Sequence, residues 1–379
     1  NTNGEDPLQL LHISLKHMDD LTDNVGMLQH SIFDLPDYRE GYTTDDNARA
    51  LLASVQLEPF GERYSKNAHR MASRYMAFLS YAFNPETGTF RNCLSFDRQW
   101  AEDPGSEDSH GRAMWSLGAV LHRSNRNGLR GVAGRLFDQA LPAVLNFSSP
   151  RAWAFTLIGI HEYLQRFSGD RAVIHAGTVL AQRLMDLYQE HRSDDWHWFE
   201  DEVTYDNASL PYALLLSNQW LEIEGTLPVA IESLDWLAEI QTAPEGHFVP
   251  VGTDGFYPRG GDKARFDQLP IQAGTMSLAC VEAYRITEDP RWFNEGQKAW
   301  KWFLGENDLG LSLIDPETGG CRDGIHPDRL NQNQGAESLL AYLLALLEMH
   351  QTAILTQKQM GNGQVSLLPI AMSKNGGKR

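Results

Sequence analysis

The chain predicts an all-α fold, an (α/α)6 toroid of six inner helices inside six outer ones, with short β-hairpins in the loops at one face. Three observations carry this. Amphipathic helical segments alternate with segments that are apolar nearly all round. Connections are short in one direction and mostly long in the other. Short motifs repeat at positions that a six-fold ring places across from each other.

The amphipathic class begins at about 7–20 and returns at 65–81, 129–146, 172–191, 227–241 and 291–305. Each has apolar residues at i, i+3, i+4 and i+7 with polar residues opposite, the mark of a helix exposed on one face. The second class is richer in Ala, Gly and Ser and lies at 45–56, 107–122, 150–166, 206–221, 268–285 and 333–350. Such helices are buried, and their small residues let neighbours approach closely. Pro211 and Pro270 fall in the first turns of their helices, where proline is tolerated.

Connections from buried to exposed helices are brief, as in LEPFGER, FSGD and TEDP. The return connections 21–44, 82–106, 192–205, 242–267 and 306–332 are long, and only 148–150 is short. Long loops without helices are usually functional, and all of these emerge where the inner helices begin. Thr44-Asp45-Asp46-Asn47-Ala48 opens the first inner helix, and Thr204-Tyr205-Asp206-Asn207-Ala208 opens the fourth. Pro85-Glu86-Thr87-Gly88, Pro244-Glu245-Gly246 and Pro316-Glu317-Thr318-Gly319 are turn signals. They predict hairpins that bring Arg91-Asn92, His247-Phe248 and Arg322-Asp323 toward the centre. The toroid is expected to span 1–351, with 352–379 a disordered tail.

The formal charge of −18 argues against nucleic acid and anionic lipid as partners and leaves a neutral oligosaccharide unopposed. Cys93, Cys280 and Cys321 are widely spaced, without CxxC, so no disulfide framework is expected. No run approaches the length of a membrane span, and Asn-Thr-Asn-Gly has no signal-peptide character. Both fit a cytoplasmic protein, or a periplasmic one if a signal peptide was trimmed. HExxH, GxxxxGK[ST] and GxSxG are absent, so no metal or cofactor is expected. The oligomeric state stays open.

The inner-helix entrances concentrate carboxylates, which glycoside cleavage needs in pairs. Asp108 is favoured because Ser106 can cap its helix and leave the acids after it free. Glu200 and Asp201 lie among Trp196, Trp198 and Tyr205, and Asp46 is the reserve. Asp45, Asn47, Arg49, Glu107, His110, Arg112, Asn207, Asp267, Gln268, Gln272, Arg322, Asp323, Asn333 and Glu337 are expected to contact hydroxyls. Trp153, Trp198 and Tyr205 offer ring faces to sugars, and His247 completes the set. Helix capping by Asp46 and Asp206, and an i,i+4 ion pair between Asp108 and Arg112, are the plain structural alternatives. Arg322 is the partner expected for Glu337.

YTTDDNARAL, SEDSHGRAMWSLG, WFEDEVTYDNASLPYALL, RFDQLPIQAGTMSLACVEAYRIT and DPETGGCRDGIHPDRLNQNQGAESLLAYLLAL resemble bacterial (α/α)6 toroid, glycoside hydrolase-like proteins. These occur fused to glycosyltransferases or beside β-mannoside phosphorylases. The resemblance covers the chain to about 350 and implies a toroid in a carbohydrate context. The reading is therefore a glycoside hydrolase, inverting, acting on a mannose- or glucose-containing oligosaccharide. A sugar 2-epimerase using His110 and His247, or a non-catalytic oligosaccharide-binding protein, are the alternatives.

Overall fold

The computed structural model describes residues 13–360, by backbone alone at 63 and 353–360. The inner helices are α2 (Thr44–Leu57), α4 (Glu107–Arg123), α6 (Pro150–Leu164), α8 (Ser209–Ser217), α10 (Pro270–Thr287) and α12 (Ala336–Met360). The outer helices are α1 (Lys16–Asp20), α3 (Glu62–Ala82), α5 (Asn127–Ala140), α7 (Arg171–His191), α9 (Thr226–Ile240) and α11 (Pro290–Phe303). Each inner helix packs against the next, and α12 returns to α2, which closes the ring. Helices α3, α5, α7, α9 and α11 each lie on the inner helix before them, and α1 lies on α12. The molecule is thus an (α/α)6 toroid. Among the described residues, no helix is long and apolar enough to cross a membrane.

Several boundaries differ from the periodicity: of the expected 7–20, the described residues are helical only over Lys16–Asp20, α8 ends at Ser217 and not 221, and α12 begins at Ala336 and not 333. Helix α5 ends at Ala140, and Leu141–Asn146 tightens to a 3-10 turn with Pro142 in its opening positions, because proline cannot donate the next helical bond. Helix α8 starts at Ser209, since Asp206 takes a positive φ of 45° and Asp206–Ala208 stay outside the helix. Helix α12 runs to Met360, past the expected boundary at 351, while the rest of the expected tail, 361–379, lies outside the described residues. So does the 7–12 portion of the first expected helix.

The small residues of the inner ring act where helices touch. A Cβ on Gly118 of α4 would stand 2.1 Å from the carbonyl oxygen of Gly159 on α6. A Cβ on Gly159 would stand 2.4 Å from that of Met114. This pair of backbones can meet only without side chains.

The long loops are tied by short antiparallel pairs. Strand β4 (Phe83–Asn84) pairs with β5 (Thr89–Phe90) around the first turn motif, as expected. Bridges Thr242–Phe248 and Ile314–Cys321 close the other two turns. Strand β3 (Tyr42–Thr43), which feeds α2, pairs with β6 (Cys93–Leu94) in the following loop. Strands β1 (Ser31–Ile32) and β2 (Leu35–Pro36) form a further hairpin.

Candidate active site

Six helix N-termini point at one mouth, and their aligned dipoles favour anionic groups there. The acids are free to use that field because other residues do the capping. Thr43 Oγ1 accepts from the Asp46 N–H and caps α2, and Ser106 Oγ accepts from the Ser109 N–H and caps α4. Asp323, from the loop before α12, accepts from Gly335 N–H and Ser338 Oγ, each at 2.7 Å.

Two guanidiniums organise the axis. Arg49 Nη2 holds Asp45 at 2.7 Å, Asp46 at 3.0 Å and Glu337 at 3.2 Å. Arg112 reaches Asp45 through Nε at 3.2 Å and Asp206 through Nη2 at 2.6 Å. It lies 4.0 Å from the centre of the Phe155 ring. One group therefore joins α2, α4, α12 and the entrance of α8. Four carboxylates share two cations, so the group holds surplus negative charge. Arg49, Arg112, Asp46 and Asp206 are buried, whereas the Asp45 and Glu337 side chains are 26% and 45% exposed.

The surplus separates the two adjacent aspartates. Burial, with Asp45 and Glu337 nearby, raises the Asp46 carboxyl to about 6 against the pull of Arg49. Burial also opposes ionisation of Asp45, but Arg49 and Arg112 outweigh it and hold Asp45 below the usual range. Arg49 Nε and Nη1 and Asp206 Oδ1 are buried and have no protein hydrogen-bond partner. A hydroxyl, at once donor and acceptor, satisfies both kinds.

Beside the axis, Arg151 clamps the loop entering α8. Its guanidinium donates to Glu200 at 2.9 Å, Tyr205 O at 2.6 Å, Thr204 Oγ1 at 2.8 Å and Asn207 Oδ1 at 3.2 Å. Gln272 joins the knot by donating to Thr204 O and accepting from Asn207. Asp108 accepts from Ser149 Oγ at 2.5 Å and from the Tyr205 hydroxyl. The ion pair with Arg112 that stood as the plain alternative for Asp108 does not form, because Arg112 turns to Asp45 and Asp206.

Several expected contacts are spent elsewhere. Asp201 is 71% exposed and faces Arg259 and His191, so nothing ties it to the axis. His110 is packed between Phe90 and Phe147 with Nε2 on Ala140 O, and burial lowers it to about 4. Trp153 donates to Phe147 O and supports Arg183. Trp198 is fully buried against Phe199 and Trp236. Asn47 braces Met27 and Thr43 backbone, and Glu107 accepts from the N–H groups of Ser148 and Ser149. Asn333 accepts from Phe33 N–H. Arg322 pairs with Gln332 and Asp315, so Glu337 takes Arg49 as its partner.

Sequence reasoning missed two mouth residues. Asp308 binds His247 Nε2 at 2.7 Å, Arg265 at 2.7 Å and Gln268 Nε2 at 2.8 Å. Although burial opposes it, these donors hold its carboxyl at about 2. His326 Nδ1 meets Asp267 at 2.6 Å. Asp308 sits in the 306–332 loop ahead of the Pro316-Glu317-Thr318-Gly319 turn, and His326 lies within the DPETGGCRDGIHPDRLNQNQG segment, but no spacing singled out either side chain.

No protein-family model matches the chain, and no curated protein matches it in sequence. Solved structures match it in fold. A cellobiose 2-epimerase from Bacillus thermoamylovorans B4167 aligns over 89% of this chain and 95% of its own, with TM-score 0.70 and 11% identity. A GH76 α-mannanase of Bacteroides thetaiotaomicron aligns over 93% and 98%, with TM-score 0.63 and 12% identity. A GH76A α-1,6-mannanase of Salegentibacter sp. HEL1_6 aligns over 89% and 96%, with TM-score 0.61 and 12% identity. That structure is an inactive variant, with two consecutive aspartates replaced by alanine, in complex with α-1,6-mannotetrose. The structural neighbours are toroid enzymes of both kinds, glycosidases and epimerases. At these identities the likeness establishes the toroid alone.

Proposed function

We propose that this chain is a glycoside hydrolase acting on a mannose- or glucose-containing oligosaccharide, with Asp45 and Asp46 as its reacting carboxylates. One observation carries the reading: two adjacent carboxylates on one guanidinium nitrogen are shifted in opposite directions, Asp46 up and Asp45 down. Environments that split two carboxyls in this way assign acid and base roles. Asp46, which keeps its proton up to about pH 6, gives it to the leaving glycosidic oxygen. Asp45, ionised, meets the positive charge growing at the anomeric carbon. The consecutive aspartates of the inactive mannanase variant support the choice of this pair.

Spacing favours a retaining course over the inverting one expected from sequence. The two oxygens contact one nitrogen at 2.7 and 3.0 Å. They therefore stand closer together than the roughly 6.5 Å or more that lets a water enter between an inverting pair. Asp45 then attacks the anomeric carbon, and the Asp46 carboxylate, its proton given up, activates the water that releases the sugar. Glu337, Asp206 and the Arg49 edge bind hydroxyls. The axial cations are engaged by four carboxylates, which favours water over phosphate as acceptor.

A second reading rests on His247–Asp308 and His326–Asp267, two carboxylate-paired imidazoles flanking Asp267 and Gln268. It is an epimerase that exchanges a proton beside the carbonyl of an opened sugar. Product NMR on α- and β-mannosides and glucosides, with and without phosphate, separates the classes. Free sugar first appearing with the anomeric configuration of the substrate is the expected result. A 2-epimer formed without bond cleavage would transfer the function to the histidines, and a sugar 1-phosphate would make the chain a phosphorylase.

A further inference from the structure

We propose that Phe33, Tyr38 and Phe96 form a platform outside the cleft that binds the distal units of an oligosaccharide and makes the enzyme selective for chain length. The inference deepens the hydrolase reading and rests on it.

Exposed apolar side chains are concentrated in two loops, at 32–38 and at 96, which meet at Tyr38 and Phe96. Of the nine large hydrophobic residues exposed among those described, five belong to two mouth loops: Ile32, Phe33, Leu35, Tyr38 and Phe96. Such a patch marks a ligand or partner surface. Tyr38 and Phe96 come from different loops, yet their ring centroids lie 4.8 Å apart, and each residue is about half exposed. The pairing leaves broad ring surface toward solvent, where burial would have been the cheaper arrangement.

Phe33 is held outward. Its φ of 54° places an aromatic residue in the left-handed region, which residues with a Cβ rarely adopt. Its N–H donates to Asn333 Oδ1 and its carbonyl accepts from Gln334 N–H, both at 2.9 Å. These bonds fasten the β1–β2 hairpin to the segment that enters α12, one turn before Glu337.

The Tyr38–Phe96 pair is fastened to the other side of the same carboxylate group. Strand β3 begins four residues after Tyr38, β6 ends two residues before Phe96, and the two strands are paired (Tyr42–Leu94, Thr43–Cys93). Strand β3 runs directly into Asp45 and Asp46. Both aromatic groups therefore ride on the lead-ins to helices that carry the axial acids.

The chemistry fits a sugar chain. Each pyranose presents an apolar C–H face and a rim of hydroxyls. The rings supply flat apolar surface, and Arg39, Asp97 and Asn333 around them supply hydrogen-bonding groups. The charged rim and the net charge of −18 disfavour an anionic lipid surface.

The test compares Phe33→Ala, Tyr38→Ala and Phe96→Ala with the parent on disaccharide and hexasaccharide substrates from the manno- and cello-series. The expected result is about a tenfold loss of kcat/KM on the hexasaccharide for each ring of the Tyr38–Phe96 pair. Disaccharide rates stay within about twofold, because the axial group is untouched. Calorimetric binding of the same hexasaccharides to Asp45→Asn, with and without Tyr38→Ala, reads the platform without turnover. It keeps the inference testable even if no glycoside is cleaved. Equal losses at both lengths, or none at either, would overturn the platform. So would a dimer that the replacements split into monomers with hexasaccharide binding unchanged, since the patch would then join two copies of this chain.

Discussion

Asp46 illustrates how much one side chain depends on its surroundings. Its carboxyl accepts from Thr43 Oγ1 at 2.7 Å and from Arg49 at 3.0 Å, and burial still holds it near 6. If it is the proton donor, Asp46→Asn lowers kcat by about a thousandfold, the usual worth of a general acid. The wild-type rate then falls as pH rises through about 6. A flat profile from pH 5 to 8 would remove Asp46 from the acid role. Stability falls in the same direction. The unfolded carboxyl titrates near 3.9, so the folded state holds the extra proton between that value and about 6. The site is least costly at low pH, and the full penalty is reached once pH exceeds the folded value. Asp46→Asn removes that penalty. Its Tm is expected to exceed wild type at pH 7.5, with the difference shrinking toward pH 4.

Among elements, the α4–α6 contact is the most demanding. Gly118→Ala drives a methyl to 2.1 Å from a backbone carbonyl that has no side chain to move aside. The expected cost is about 3 kcal/mol, at the upper end for overpacking. Gly134→Ala on outer helix α5 is the control. Its Cβ would meet Leu121 Cδ2 at 3.6 Å, an ordinary contact, and helix propensity favours alanine by nearly 1 kcal/mol. Urea denaturation should move the two midpoints in opposite directions. A Gly118→Ala midpoint equal to wild type would show that the two helices are not locked at this spacing. The clamp around Arg151 belongs to the same scale, since one inner-helix residue orders the whole 200–207 segment.

The toroid as a whole separates its two ends. The mouth gathers helix N-termini and acids. At the other end, where inner helices finish, Glu162 is held by Arg123 at 2.5 Å and His122 at 2.6 Å. Glu282 and Glu348 share Arg285 there. Burial opposes the charge on these glutamates, so their cations are structural necessities. Arg123 and His122 outweigh burial and push Glu162 far below the usual range. Its stabilisation is present above about pH 4.3, the unfolded value, and is lost as pH falls. Arg123→Met should cost about 3 kcal/mol at pH 7 by stranding a buried carboxylate. That cost should diminish in acid, where Glu162 can protonate. A cost independent of pH would mean that packing, and not charge, holds this end of the ring.

The ring was legible in the sequence because it is built from local repetition. Alternating helix types, long and short connections and the Thr-x-Asp-Asn-Ala repeat are properties of neighbours along the chain. Burial of small-residue helices leaves a closed ring as the solution. Arg49, Asp45 and Glu337 were legible as mouth residues, but their partnership was not: positions 49 and 337 meet only because α12 returns to α2. His110 and Asp201 show the same boundary from the other side. Each lies beside an acid or an aromatic in sequence, yet one turns into the core and the other into solvent. Helical periodicity records which face of a segment is apolar. Which carboxylate shares a nitrogen with another, and which of the two keeps its proton, depends on distances and burial set by segments hundreds of residues apart, and only the closed toroid decides them.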